Sequence, residues 1–426
     1  MSSTEQLPRS TLGIYAQPRV LAMLVLGFSS GLPFPLVFTT LTAWLTTTGV
    51  SKSEIGMFAW AGIAYSVKFA WAPLVDRLGI PGLTGLLGRR RSWMLLSQCG
   101  VIAVLLLMSV TDPSVRLAQI AMLTVLLAVC SATQDIAVDA WRIEAVTERL
   151  QGAMAAAYQA GYRAAVLVAG AGALYIADLG SWGLAYQAMA ALMLPGVVTA
   201  LLVAEPAVSA VPAAAASLGD WFSTAVVGPF REFFQRVGGF GFVLLLFIGS
   251  YRISDMVLGV MANPFYIDTG FSLSEIATVT KVFGFAITLV GAALGGVAVA
   301  RHGAARPLVV GAVLLAASNL VFIGLAQAGP DMGWLIAAIC ADNLAAGFVG
   351  TIFIAYLSSL TNVAYTATQY ALFTSLMSLP GRLLSGFSGQ IVEMSGWVTF
   401  FVYTTAAGIP AILLAMVVVR RQQKSG

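Results

Sequence analysis

Nine Asp, Lys and Arg side chains fall within long apolar runs of this chain, where a charged group is energetically unfavourable. A charge at the centre of a lipid bilayer costs at least about 2.5–3.5 kcal/mol on insertion scales, so such a residue is a candidate for ligand binding or proton transfer. The nine are Lys68, Arg163, Arg252, Lys281, Arg382, Asp135, Asp139, Asp255 and Asp342. We interpret the cations as ligands for an anionic solute and the acids as proton carriers.

Asp135 and Asp139 are the acids with the most informative spacing. They lie four residues apart, so a helix places both on one face. Two carboxylates on one face repel each other, which favours the retention of a proton by one of them. We therefore predict proton transfer at Asp135 and Asp139, with Asp255 and Asp342 as further proton carriers. The alternative for Asp139 is a place at the membrane edge, paired with Arg142 or with an arginine of a neighbouring helix.

Three charged residues in the second half of the chain could form one polar cluster. Arg252 and Asp255 lie three residues apart in one apolar run, and Lys281 lies in the next run. A guanidinium can hold a carboxylate through two parallel hydrogen bonds, and an ammonium adds a second positive charge. The cluster therefore predicts a binding site for anionic groups. The alternative is a structural salt bridge that fastens the two helices together.

Lys68, Arg163 and Arg382 are further candidates for substrate contact. Arg163 follows Gly-Tyr and Arg382 follows Pro-Gly in corresponding runs of the two halves, which also suits a role in the fold or in gating. Trp44 and Tyr251 have flat ring faces that could stack on a sugar. Aromatic side chains of membrane helices more often pack or anchor the helix at the interface, so packing is the alternative for both.

Two short stretches, residues 48–55 and 269–276, are identical at six of eight positions, and each lies between two long apolar runs. They read Thr-Gly-Val-Ser-Lys-Ser-Glu-Ile and Thr-Gly-Phe-Ser-Leu-Ser-Glu-Ile. Because six apolar runs separate them, both loops emerge on the same side of a membrane. Two parallel copies of a six-helix unit are the arrangement of major facilitator transporters. The repeat therefore predicts a transporter with two related halves.

The composition excludes an ordinary soluble protein. Hydrophobic residues make up 59% of the 426 residues and charged residues 9%, with a mean hydropathy of +0.90, whereas soluble domains carry about 25% charged residues. A helix needs about 20 apolar residues to cross the hydrocarbon layer. We predict an all-α polytopic membrane protein of the major facilitator fold, with two pseudo-symmetric six-helix halves. The twelve predicted transmembrane helices are 20–45, 55–75, 92–110, 117–140, 153–177, 184–204, 240–265, 275–300, 307–327, 333–359, 369–389 and 397–419.

The positive charges predict the orientation of these helices. With both termini in the cytoplasm, fifteen of the 22 Lys and Arg residues fall in cytoplasmic segments, and only Lys52 and Arg116 fall outside. Cytoplasmic loops carry such an excess of positive charge. The predicted domains are an N-terminal six-helix bundle at 1–204, a cytoplasmic linker with an amphipathic segment at 205–239, and a C-terminal six-helix bundle at 240–426.

The loop after the second apolar run has a pattern that suits gating. Asp76 and Arg77 are followed, after an insertion, by a basic run that starts at Arg89. This pattern resembles the signature loop of major facilitators, in which an acid and basic residues brace helix ends and control opening. Asp76, Arg77 and Arg89 are therefore the predicted gating residues. The pI near 9.0 reflects the charge asymmetry across the membrane and requires no nucleic-acid partner.

The remaining reactive side chains do not suggest an enzyme. Cys99, Cys130 and Cys340 lie far apart within apolar runs, so neither a disulfide nor a metal site is predicted. Catalysis usually needs a nucleophile, a metal or a histidine constellation, and the single histidine, His302, lies in a basic loop. We expect no enzymatic activity and no cofactor.

Several strings of residues resemble the AmpG muropeptide permeases, and the resemblance covers essentially the whole chain. They are GFSSGLP at 27–33, KFAWAPLVDR at 68–77, SATQDIAVDAW at 131–141, YRISD at 251–255 and TATQYAL at 366–372, together with Lys281. The family pattern can have Lys in place of Arg252.

The resemblance implies the import of anhydromuropeptides, GlcNAc-anhydroMurNAc with or without attached peptide, from the periplasm to the cytoplasm. The proton gradient would drive this import, which serves peptidoglycan recycling. The implied place is the bacterial inner membrane, and the implied partners are the muropeptide, protons and the lipid bilayer. A related branch moves acetyl-CoA, so fold-level similarity alone leaves the substrate open. The alternative is a major facilitator for another anionic solute, such as an acyl-CoA or a different sugar or peptide.

Overall fold

A computed structural model describes residues 16–146, 148–206, 228–360 and 366–425. Regular structure in these residues is helical throughout, which confirms the predicted all-α class. Two short helices, Thr84–Leu87 and Gly228–Val237, accompany twelve longer helical segments. The longer segments are α1 Pro18–Thr47, α2 from Lys52–Met57 to Ala72–Arg77, α3 Arg89–Ser109, α4 Leu117–Glu144, α5 from Glu148–Leu167 to Ala173–Leu179, α6 Trp182–Leu202, α7 Phe240–Thr269, α8 Leu273–His302, α9 Pro307–Ala328, α10 Met332–Leu360, α11 Thr366–Ser385 and α12 from Ser388–Ala407 to Ile409–Ser425.

Within the described residues, ten of these segments contain a stretch long and apolar enough to cross a membrane. The two others are α2 and α11. α2 consists of five short pieces, two of which are the 3₁₀ turns Phe58–Gly62 and Lys68–Ala70. The sequence predicts that α2 and α11 also cross the membrane. This crossing, and therefore the count of twelve transmembrane helices, stays a prediction.

The loop repeat forms the same local structure in both copies. In the first copy Gly49 ends α1 with a φ of 79°, a conformation that glycine adopts without strain. The Ser51 side chain then accepts a hydrogen bond from the Glu54 N–H, and the Glu54 side chain accepts one from the Ser51 N–H. This capping box satisfies the free donors at the start of α2. The second copy does the same with Gly270, Ser272 and Glu275.

Glycines allow α1 and α5 to cross at very short range. A Cβ atom at Gly27 would lie 2.3 Å from the Tyr158 carbonyl oxygen, and one at Gly31 would lie 2.5 Å from that of Tyr162. Gly161 faces the Leu24 carbonyl of α1 in the same way, at 2.0 Å. Small residues at membrane helix contacts let backbones approach and pack. This crossing fixes the positions of the α5 tyrosines beside α1.

The chain divides into two compact units. The first comprises the described residues of Met1–Leu41 and Val67–Pro212, and the second those of Thr42–Ser66 and Ala213–Gly426. The chain passes from one unit to the other close to a break in each of two helices. Phe38 interrupts α1 with φ −117° and ψ −99°, and Val67 interrupts α2 with φ −106° and ψ 10°.

The interior of each unit is apolar. Unit 1 buries Trp141, Met94 and Leu26 in one cluster. Unit 2 buries a larger aromatic cluster that includes Phe247 and Phe353. The predicted boundaries at 205–239 stay a prediction, because residues 207–227 lie outside the described residues.

The described end of the predicted linker is the amphipathic helix Gly228–Val237. Its Phe233 is fully buried and contacts Phe373 of α11 with ring centroids 5.3 Å apart. Arg236 donates a hydrogen bond to the Leu360 carbonyl at the end of α10, at 2.6 Å. A cation at a helix C-terminus satisfies free carbonyls and the negative end of the helix dipole. The helix is therefore fastened to unit 2.

Candidate functional site

Lys68 and Asp135 form an ion pair inside unit 1. Lys68 begins the 3₁₀ turn of α2, Asp135 lies in α4, and 3.7 Å separate the lysine Nζ from the Asp135 Oδ2. The lysine side chain is 35% exposed and the carboxylate only 12%. A close charge-assisted hydrogen bond would be about 2.7–2.9 Å long. The pair is therefore loose, and the lysine is the partner that reaches solvent.

The surroundings of Asp135 are polar on several sides. Ser30 of α1 and Tyr158 of α5 lie beside its carboxylate, and Asp139 is near enough to repel it. The Tyr158 and Tyr162 rings lie 6.0 Å apart along α5. We refer to Lys68, Asp135, Ser30 and Tyr158 as the acid site.

Asp139 differs from Asp135 in its contacts. Its Oδ1 lies 3.5 Å from the Arg142 Nε, and its side chain is 43% exposed. This is the pairing that the sequence left open as the alternative. Of the two acids, Asp135 is the one enclosed by the protein.

Arg252 and Asp255 form a hydrogen-bonded ion pair inside unit 2. Both belong to α7, where Arg252 lies in a turn between the pieces Phe240–Ser250 and Ile253–Thr269. The pair therefore does not fasten α7 to α8, which corrects the salt bridge expected as the alternative. Asp342 of α10 interacts electrostatically with both residues. We refer to Arg252, Asp255 and Asp342 as the α7 cluster; it holds two acids and one cation.

Lys281 lies apart from the α7 cluster. It is partly buried in a π-helical piece of α8, Ala277–Phe283, and it contacts no carboxylate among the described residues. Short π-helical pieces inside α-helices occur often at functional sites. The expected cluster of Arg252, Asp255 and Lys281 is thus replaced by an internal ion pair and a cation without a protein counter-charge in the described part of the chain.

The two corresponding arginines have different surroundings. Arg163 is exposed on α5. Arg382 of α11 lies over the Tyr65 ring, 5.8 Å from its centroid, in unit 2. A cation over an aromatic face is attracted by the ring quadrupole. The symmetric placement expected from the sequence does not give the two arginines the same contacts.

Trp44 and Tyr251 are packing residues of unit 2. Trp44 is 4% exposed and Tyr251 is 1% exposed. The Tyr251 hydroxyl donates to the Leu308 carbonyl at 2.8 Å, and its ring stacks on Phe353 with centroids 4.3 Å apart. Neither side chain offers a free face to a sugar. The packing alternative is the one that the geometry favours.

The start of α3 carries a brace that the sequence reasoning missed. Arg90 pairs with Glu144 at the end of α4 through hydrogen bonds of 2.5 and 3.0 Å. Glu205, just after α6, accepts from the N–H groups of Arg90 and Arg91 at 2.7 and 3.1 Å. A carboxylate at a helix N-terminus satisfies free donors and the positive end of the dipole. The signal in the sequence was an acid at the end of two apolar runs, Glu144 at the end of α4 and Glu205 just after α6.

The predicted gating residues cannot be placed in this brace. The side chains of Asp76 and Arg77 lie outside the described residues. The Arg89 Nε is buried and has no hydrogen-bond partner in the described part of the chain. The predicted gating role of all three stays a prediction.

Known proteins resemble this chain over nearly its full length. The anhydromuropeptide permease of Escherichia coli K12 is 37% identical over 410 residues, which cover 95% of this chain and 81% of that protein. A Rickettsia conorii protein that carries the transporter name AmpG 4 is 35% identical over 405 residues, covering 95% and 97% of the two chains. The chain belongs to the AmpG family of transporters. It is accordingly a multi-pass membrane transporter with a small-molecule substrate, and not an enzyme.

Solved structures confirm the major facilitator fold. A peptide-bound POT family transporter superimposes with a TM-score of 0.73 and 12% identity, covering 97% of this chain and 98% of that one. A D-xylose–proton symporter gives a TM-score of 0.66 at 14% identity, covering 96% and 97%. A family model described as acetyl-coenzyme A transporter 1 also matches residues 19–169.

Proposed function

We propose that this AmpG family transporter imports anhydromuropeptides, GlcNAc-anhydroMurNAc with or without peptide, from the periplasm to the cytoplasm. Import is coupled to the proton gradient and serves peptidoglycan recycling. The name of the Escherichia coli relative, an anhydromuropeptide permease, supports the substrate class. Such a substrate combines sugar hydroxyls with carboxylates.

The observation that carries the substrate proposal is Lys281. A partly buried ammonium without a protein counter-charge among the described residues is costly, and an anionic ligand removes that cost. Arg252 is less free to bind a carboxylate, because Asp255 already holds it. We therefore assign the substrate carboxylate chiefly to Lys281. Lys68, Arg163, Arg382 and the guanidinium of Arg252 are secondary contacts of the proposal.

Asp135 is the proposed proton carrier. It is the more enclosed of the two α4 acids, and its loose ion pair with Lys68 is lost when the carboxylate is protonated. Protonation of Asp135 would release Lys68 toward solvent, where it can meet an anionic group of the substrate. Asp255 and Asp342, the acids of the α7 cluster, are the proposed second group of proton sites.

The proposed place is the bacterial inner membrane, with both termini and the linker in the cytoplasm. The distribution of Lys and Arg supports this orientation, since fifteen of the 22 fall on the side of the termini. It places the two repeat loops on the periplasmic side. Asp76, Arg77 and Arg89 are then proposed to control opening at the cytoplasmic side.

Uptake by proteoliposomes tests the proposal directly. Purified protein in liposomes with an imposed pH gradient should accumulate radiolabelled GlcNAc-anhydroMurNAc-peptide, and a protonophore should abolish accumulation. The match of residues 19–169 to the acetyl-coenzyme A transporter model favours an acyl-CoA as the second candidate substrate. Unlabelled acetyl-CoA is therefore added as a competitor. Accumulation of acetyl-CoA, with no accumulation of muropeptide, would reject the proposal.

A further inference from the structure

The start of α2 is held to other parts of unit 2 by a charged contact. The Lys52 Nζ lies 2.7 Å from the Asp268 Oδ2, and Asp268 also accepts a hydrogen bond of 3.2 Å from the Trp397 indole N–H. Lys52 lies over the same indole ring at 5.8 Å. Lys52 begins α2, Asp268 lies near the end of α7, and Trp397 lies in α12.

A second contact lies one residue further along α2. The Ser53 N–H donates to the Glu393 Oε1 at 3.1 Å, and the Ser53 hydroxyl donates to the other carboxylate oxygen. Glu393 belongs to the part of α12 that precedes the kink at Gly396, where φ is 77°. The backbones approach closely as well, since a Cβ at Gly389 would lie 1.6 Å from the Lys52 carbonyl oxygen.

The contacts continue toward the middle of α2. The Trp60 indole N–H donates to the Leu383 carbonyl at 3.1 Å. Deeper still, the Ser66 and Ser378 hydroxyls are hydrogen-bonded at 2.8 Å, and Ser66 is 3% exposed. The contacts of α2 with α11 and α12 therefore extend from Lys52 and Ser53 at its start to Ser66, which is buried.

We infer that Lys52, Ser53, Asp268 and Glu393 form a releasable gate, the outer latch, on the side where the two repeat loops emerge. Transporters with two repeats expose their site alternately to the two sides of the membrane, so a contact that closes one side has to open in each cycle. The inference rests on the proposed orientation and does not depend on the identity of the substrate.

The chemistry of the latch suits release. The Lys52 and Asp268 side chains are 27% and 30% exposed, and exposed ion pairs contribute little because water can replace them. The fastened piece is joined to the rest of α2 at Val67, where the helix is broken. Hinges are short non-helical positions of this kind, which absorb changes in φ and ψ.

The latch is also asymmetric between the two internal copies. Lys52 belongs to the first copy of the loop repeat, and the second copy has Leu273 at that position. Asp268 directly precedes the second copy. The ion pair therefore exists once, so one substitution can reverse its charge without a second pair to compensate.

Labelling of a buried cysteine measures opening of the latch. Ser66→Cys is introduced after Cys99, Cys130 and Cys340 are replaced by serine, and intact cells are treated with a membrane-impermeant maleimide. Lys52→Asp places two carboxylates together and should raise the labelling rate by about fivefold, the scale expected when an exposed attraction becomes a repulsion. Lys52→Asp with Asp268→Lys restores the ion pair and should return the rate to its starting value.

Arg116→Asp is the matched control, because Arg116 is the other cation predicted on this side and takes no part in the contacts described for the latch residues. Its labelling rate should stay at the starting value. Equal labelling with and without Lys52→Asp would overturn the latch, as would failure of the charge swap to restore protection.

A cross-link gives an independent test should the Lys52→Asp protein fail to reach the membrane. In the same cysteine-free background, Ser53→Cys and Glu393→Cys are joined by a short reducible cross-linker. Cross-linking should stop counterflow of radiolabelled GlcNAc-anhydroMurNAc-peptide in proteoliposomes, and reduction should restore it. Full counterflow by the cross-linked protein would overturn the inference. If the labelling rates change as predicted but muropeptide uptake is absent, only the proposed substrate is rejected.

Discussion

Replacement of Lys281 by methionine separates substrate binding from folding. The ammonium has no carboxylate partner among the described residues, so Lys281→Met leaves no acid unpaired. We expect normal abundance in the membrane and an unchanged or higher Tm in detergent. Loss of one charge-assisted hydrogen bond to substrate costs about 1.5–3 kcal/mol. That range corresponds to a rise in KM of about 10- to 150-fold, because each 1.4 kcal/mol is roughly tenfold.

Arg252→Met is the matched comparison. It leaves Asp255 without its ion-pair partner beside Asp342. Breaking a buried pair costs about 3–5 kcal/mol, and the partial exposure of these side chains, 28% and 19%, reduces the expected loss of stability to about 1–3 kcal/mol. The double variant Arg252→Met with Asp255→Leu should recover most of this stability. Thermal unfolding in detergent measures all three proteins.

A substrate analogue makes the Lys281 test specific. Peptide-free GlcNAc-anhydroMurNAc carries one carboxylate, and its methyl ester removes that charge while the sugars stay intact. Esterification should weaken uptake by the wild-type protein and have little further effect on Lys281→Met, because interacting groups give non-additive losses. Additive losses, or an unchanged KM in Lys281→Met, would refute the assignment of the carboxylate to Lys281.

Three further predictions concern coupling, orientation and packing. Asp135→Asn mimics a permanently neutral carboxyl, so it should reduce gradient-driven accumulation at least tenfold and spare counterflow in the same proteoliposomes. Asp139→Asn should have a milder effect. Unchanged accumulation by Asp135→Asn would move the proposed proton site to the α7 cluster. Of two reporters fused at Gly426, the one that works only in the cytoplasm should be active and the one that works only in the periplasm should not. The opposite result would mean that every helix runs in the opposite direction to the one proposed. Gly161→Val forces side-chain atoms against the Leu24 carbonyl and should cost about 1–3 kcal/mol of stability, seen as a lower Tm; an unchanged Tm would contradict the close crossing of α1 and α5.

The class of the protein and much of its local structure can be predicted from short stretches of the sequence. Long apolar runs form helices because backbone groups in a membrane must be hydrogen-bonded within the chain. The repeat predicted two related loops, and its Ser and Glu spacing is the signal for the capping boxes seen at Ser51 and Ser272. Helical periodicity also places Asp135 and Asp139 on one face. All these features depend on residues within a few positions of each other.

Which helices meet, and therefore which charges pair between helices, follows only from the packing of the whole chain. Periodicity gives the neighbours of a residue on its own helix and is silent on the helix opposite, so Lys68 could not be assigned to Asp135. The spacing of three residues permits the pair of Arg252 with Asp255 on α7, but only the packed chain shows that Lys281 contacts no carboxylate in the described part of the chain.

The same limit explains the contacts that the sequence did not reveal. Ser53 and Glu393 of the outer latch are 340 residues apart, and Arg90 and Glu144 of the α3 brace are 54 apart. Tyr251 looked available to a sugar because composition does not distinguish a ring that faces a cavity from one stacked in the core. Such pairings depend on the close approach of helix backbones, which glycines permit at particular crossings but which only the packed chain specifies.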